Sequence, residues 1–154
     1  MQRPPPDFEV VEFEPIEEHW NKYELQNHTV VRGRIIVTRF ARNSHAPDPT
    51  QFAISTQNIF VVDAPPESRG TPTPPLTMEE IANPQGVPVP VLTSNEVWNK
   101  YRILQNGLVL KVKMVLDEAV RIQDKFDNDG MPQYVFRSSP LMTPDRRANS
   151  NIRT

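Results

Sequence analysis

Apolar and polar residues alternate along two long stretches of this chain, and each stretch is a version of the other. In one, Leu108, Leu110, Val112, Met114 and Leu116 share a face, while Val109, Lys111, Lys113, Val115 and Asp117 share the opposite one. In the other, Thr29, Val31, Gly33, Ile35 and Val37 alternate with Val30, Arg32, Arg34, Ile36 and Thr38. Successive side chains on a strand point to opposite faces, so each stretch predicts a long β-strand with one core face. The strands are expected to run to about Arg42 and Ile122. Gly33, aligned with Val112, predicts a bulge or a close approach of another group in the first stretch.

The same lead-in precedes both strands. Trp20-Asn21-Lys22-Tyr23 and Trp98-Asn99-Lys100-Tyr101 lie 78 positions apart and contain the only two tryptophans. A short apolar step and a turn signal follow, Gln26-Asn27-His28 in one copy and Gln105-Asn106-Gly107 in the other. Asn-Gly favours the two positive-φ residues of a type I′ hairpin; Asn-His is a weaker form of it. Further on, Gln51-Phe52-Ala53-Ile54 aligns with Gln133-Tyr134-Val135-Phe136. A spacing this long exceeds that of solenoid or propeller repeats and points to one small β-unit written twice. Ile16, Trp20 and Tyr23 are spaced as on a helical turn, and Thr93-x-x-Glu96 has the form of a capping box. A short helical turn is therefore expected before each unit.

Proline sets the boundaries. Residues 1–15 form an extended arm with a short strand near Phe8–Phe13, and 16–62 the first β-unit. Residues 63–92 hold eight of the 17 prolines and form a strap with one helical turn at Met78–Ala82. Val87–Val91 within it suits an edge strand or polyproline segment, since proline cannot donate to a central ladder. Residues 93–144 are the second β-unit, and 145–154 a tail with little to bury. Return strands are expected at Gln51–Ser55 and Ile59–Val62, and at Gln133–Arg137 and Leu141–Thr143. The predicted fold is mostly β: an internally duplicated β-unit forming a small barrel or two-layer β-structure, with short helical turns and Pro-rich connections.

Composition narrows the chemistry. With no cysteine, the chain has no disulfide, thiolate metal site or Cys nucleophile. Its net charge of −2 gives no global field toward nucleic acid or an anionic membrane. No apolar run reaches the roughly 18 residues of a membrane span, and the first ten residues lack the apolar core of a secretory signal. These features suit a cytoplasmic setting.

The candidate contacts are the outer-face cations Arg32, Arg34, Lys111 and Lys113. If the halves pack with two-fold pseudosymmetry, all four fit one anion-binding stripe; they also fit a solvated sheet face. Trp20, Tyr23, Trp98 and Tyr101 are repeat anchors, read as apolar anchors closing each half, with base stacking as the other reading. Asp124–Gly130 resembles a calcium loop but misplaces its acidic ligands, and an Asp-Gly hairpin tip describes it better. His19, His28 and His45 match no zinc spacing. Asn27-His28-Thr29 has the form of a glycosylation site, incidental without a signal sequence. No cofactor, phosphate-loop or nucleophile-elbow motif is present. The expectation is a non-catalytic structural or protein-interaction module with protein partners or self-association. The alternative is a small β-barrel that binds nucleic acid through its basic strand face.

Overall fold

The computed structural model describes residues 8–150 except 44, 46 and 49; the arm expected at 1–7 lies outside them. Ten strands among the described residues form two five-stranded antiparallel sheets packed as two layers rather than as a closed barrel. They are β1 (Phe8–Val11), β2 (Phe13–Glu17), β3 (Asn21–Leu25), β4 (Val30–Asn43), β5 (Phe52–Asp63), β6 (Gly86–Pro88), β7 (Val91–Asn95), β8 (Asn99–Ile103), β9 (Val109–Phe126) and β10 (Pro132–Pro144).

The long strand is the spine of each layer. In the first sheet β4 pairs with β5 along one side, and with β1 and β3 in succession along the other. In the second, β9 pairs with β10 on one side and with β8 and β6 on the other. The remaining places are filled by exchange. β2 leaves the first half to pair with β8, and β7 leaves the second half to pair with β3. Each sheet is thus completed by a strand from the other half.

The expected in/out register is present in both spines. Val31, Ile35, Leu110, Val112 and Met114 are at most 3% exposed and belong to a single apolar core spanning both sheets. Gly33 has no bulge. It provides room: a Cβ there would lie 2.6 Å from Met114 Cε and 3.0 Å from Phe60 Cε1. Both spines have a bulge at the same repeat position, and β9 has a second irregularity between its Arg121–Tyr134 and Phe126–Pro132 pairs. Thr38 is skipped between the Val37–Thr56 and Arg39–Ser55 pairs, and Asp117 between Leu116–Ser138 and Glu118–Arg137. Each bulge re-aims the strand so that Phe40 and Ala119 return to the core.

Several local expectations are corrected. No helical turn precedes either unit: Ile16 lies in β2, Tyr23 in β3 and Thr93 in β7. Ile16, Trp20 and Tyr23 do not share a buried face, since the first two are each 40% exposed and Tyr23 is buried. The turns before β4 and β9 have one positive-φ residue each, His28 (φ 67°) and Gly107 (φ 75°), not the pair a type I′ turn requires. Asn27 and Asn106 instead accept from the amides of Thr29 and Leu108, closing Asx turns. The return strands are continuous. Pro140 is accommodated because β10 is an edge strand that, among the described residues, pairs with β9 alone.

Residues 63–92 are also more than a strap. They include β6 and the first two residues of β7. Before that comes α1 (Met78–Ala82), whose N-terminus is closed by a capping box between Thr77 and Glu80. The segment is pinned by Gly70 N–H donating to Gly130 and by Thr73 bonding both backbone groups of Phe126. Nor is the start of the tail loose. Buried Asp145 caps α2 (Arg146–Asn149), and the Asn149 amide bonds both backbone groups of Val109.

Candidate interaction surfaces

The repeated Trp-Asn-Lys-Tyr motif sits where the chain crosses between layers, and its four residues have four different roles. The tyrosines belong to the core: Tyr23 and Tyr101 are each 1% exposed. The Tyr23 hydroxyl donates to Glu96 at 2.8 Å, and that of Tyr101 to Glu18 at 3.5 Å. Burial and then the adjacent carboxylate raise the Tyr23 pKa. Burial and Glu18 push Tyr101 up to about 12, against the opposing pull of Asn99 and Arg34.

The asparagines hold the crossings. Asn21 accepts from the Val97 amide at 2.9 Å, and its amide nitrogen donates to Met114 O and to the Tyr23 hydroxyl, both at 3.1 Å. Asn99 accepts from the His19 amide at 2.8 Å. Each buried Asn therefore fixes the residue that precedes the other half's tryptophan.

The tryptophans lie outside, over the cations. Arg32 and Arg34 Cζ are 5.6 and 5.8 Å from the Trp20 ring centroid; Lys111 and Lys113 Nζ are 5.1 and 4.7 Å from that of Trp98. Cations two residues apart on the outer face of one strand both reach a single ring. Contacts of this kind contribute about 0.5–1 kcal/mol at exposed sites. Trp20 is 40% exposed and Trp98 half-buried, so the tyrosines, not the tryptophans, anchor the interior.

The lysines complete each patch. Lys22 is directly opposite Arg32 across β3–β4, and Lys100 directly opposite Lys111 across β8–β9. Like charges facing each other across a sheet are destabilising, yet the arrangement occurs in both halves. In the first patch Arg32 has Asp63 at 3.9 Å and Arg34 has Glu18 at 3.4 Å. In the second, Lys100 takes both carboxylates, Asp145 at 3.3 Å and Glu17 at 3.7 Å. Lys111 and Lys113 have no carboxylate partner among the described residues. Each patch is bordered by an exposed aliphatic residue on the neighbouring strand, Ile59 opposite Arg34 and Leu141 opposite Lys113.

The four sequence-predicted cations do not meet in one stripe. The inner faces of β4 and β9 share one core, so their outer faces point away from each other. Arg32 and Arg34 lie on one side of the sandwich, Lys111 and Lys113 on the other. Lys22, Lys100, Glu18 and Glu96 were missed as participants. Glu18 and Glu96 each stand two residues before a tryptophan, so extending the repeat upstream would have shown them.

Among the described residues, no group of three or more His, Cys, Asp or Glu converges in a way that could hold a metal ion, and no helix is long and apolar enough to cross a membrane. Comparison with protein-family models, curated proteins and solved structures finds no match to this chain.

Proposed function

We propose that this chain is a non-catalytic protein-interaction module that connects parts of a larger assembly, with two equivalent contact surfaces on opposite faces. The observation that carries this reading is the paired patch: a tryptophan over two cations, a third cation across the strand and an aliphatic border, present on both sides. Tryptophan and arginine are the side chains most often responsible for binding energy at protein interfaces. Lys111 and Lys113, which have no carboxylate partner among the described residues, suit a partner that presents carboxylates on that face. On this reading the chain is an internally duplicated unit, which offers the same contact twice and so bridges two partner molecules.

The nucleic-acid reading draws on the same groups but fits their placement less well. A strand-binding groove needs a continuous basic track with stacking platforms. Here the two patches are separated by the thickness of the sandwich, and the first contains two carboxylates.

The test uses the variants Arg32→Gln/Arg34→Gln, Lys111→Gln/Lys113→Gln and the fourfold combination. Proteins retained from a native extract are identified by mass spectrometry, and the complexes are sized. The wild type should bridge two partner molecules, each double variant should bind one, and the fourfold variant none. In parallel, single-stranded DNA and RNA are titrated at two salt concentrations. Two phosphate contacts on one face would give a log–log salt slope of about −1.4, at roughly −0.7 per contact. Submicromolar binding with that slope, lost in the fourfold variant, would replace the protein-partner reading by the nucleic-acid one.

A further inference from the structure

The edges of the two sheets are not equally protected. A free edge offers a row of unpaired backbone donors and acceptors, and proteins guard such edges with short strands, proline or charge. β10 contains Pro132, Pro140, Pro144 and Arg137; β2 contains Pro15 and two glutamates; β1, β6 and β7 are five residues or shorter. β5 has none of these guards. It runs 12 residues, contains no Pro or Gly, and carries no charge before Asp63 at its end. Among the described residues it pairs with β4 alone.

The side chains along that edge are also incompletely covered. Ile54, Phe60 and Val62 point toward the core but are only partly buried. A cleft of about 720 Å³ opens there, with Asn58, Phe60 and Val62 on one wall and Tyr134, Phe136 and Ser138 on the other. The Phe60 and Phe136 rings stack at 4.3 Å across it, and the Asn58 amide reaches the Ser138 hydroxyl at 2.8 Å.

We infer that β5 is a self-association edge, paired antiparallel with β5 of a second copy of this chain. The strand sequence selects a second copy as the occupant. A two-fold axis normal to the sheet keeps inner residues opposite inner residues. With the axis at Gln57, Ile54 of each copy faces Phe60 of the other and Phe52 faces Val62 on the inner face, with polar Thr56 facing Asn58 between them. On the outer face Ser55 is opposite Ile59, and Gln57 is opposite itself. Neutral residues meet neutral residues along the whole overlap, and the Asp63 residues lie at opposite ends. Such a contact is closed by its own symmetry, so it consumes the unguarded edge instead of propagating it. The edge adjoins the first Trp–cation patch, which Ile59 borders, but the pairing rests on the free backbone groups of β5, and its failure would leave the proposed function standing.

Because the chain has no cysteine, one introduced thiol reports the contact cleanly. Wild-type protein at tens of micromolar should show twice the chain mass by light scattering. Gln57→Cys should oxidise to a covalent dimer, since directly opposed residues lie about 4.5–5.5 Å apart at Cα, within disulfide reach. Glu24→Cys, exposed on β3, should not. Ser55→Lys/Gln57→Lys places like charges at the axis and should give a monomer with an unchanged circular dichroism spectrum and unfolding transition. A monomeric wild type overturns the inference. So does a dimer that survives the double lysine variant, or one in which Gln57→Cys fails to cross-link.

Discussion

Truncating Met114 should be costly, and the cost should depend on Gly33. The Met114 side chain is fully buried, and its terminal methyl occupies the space that any side chain at Gly33 would need. Met114→Ala alone should destabilise by about 2–5 kcal/mol, combining lost transfer energy with a residual cavity. Gly33→Ala alone should cost about 1–3 kcal/mol, because its methyl would overlap Met114 Cε at 2.6 Å and press on the Phe60 ring at 3.0 Å. In the double variant the new methyl enters the vacated space. The overlap disappears and part of the cavity is filled. The pair should therefore cost less than the sum of the singles by about 1–3 kcal/mol. Urea unfolding followed by circular dichroism measures all four proteins. Additivity within about 0.5 kcal/mol would refute the contact between the sheets on which this reasoning rests.

Other consequences follow from the motif residues. Asn21→Ala leaves the Val97 amide and the Met114 carbonyl without their partner and should cost about 2 kcal/mol or more in urea unfolding; Asn99→Ala removes the acceptor of the His19 amide and should cost about 1 kcal/mol or more. Lys113→Ala removes a cation from over the Trp98 ring and breaks no carboxylate pair among the described residues, so it should stay within about 1 kcal/mol. The raised phenol pKa values of Tyr23 and Tyr101 mean that the unfolded chain releases protons first as pH rises above 10.0. Their contribution is complete below that pH and is lost toward 12, so stability should fall across this window. Phenolate absorbance from these two residues should emerge together with unfolding; a fully folded protein with both ionised would contradict their burial.

The parts of the fold governed by local pattern were legible in the chain. Alternation gave the inner and outer faces of β4 and β9, the Asn turns marked the hairpins, and Met78–Ala82 forms the expected turn of helix. The exchange of β2 and β7 was not legible, because a strand's period specifies which side it buries and not which neighbour it pairs with. The bulges did leave a trace. Thr38-Arg39 and Asp117-Glu118 are two consecutive polar residues that interrupt the alternation in both copies, at the point where each strand changes its facing side. The helical spacing of Ile16, Trp20 and Tyr23 misled because three residues on different surfaces happened to fit a 3.6-residue period. For the surface patches, the residue types were readable but their separation was not. Whether two outer faces point the same way depends on how the sheets stack, which neither strand encodes alone.

The two halves form one structure, with each sheet completed by a strand of the other half. Inserting a specific protease site after Pro74, on the exposed connection, and cutting under native conditions tests it directly. The two fragments should co-elute at the mass of the uncut protein, keep its circular dichroism spectrum, and separate only in denaturant. Fragments that part without denaturant and each retain a cooperative β-sheet unfolding transition would show two independent domains and contradict the exchange.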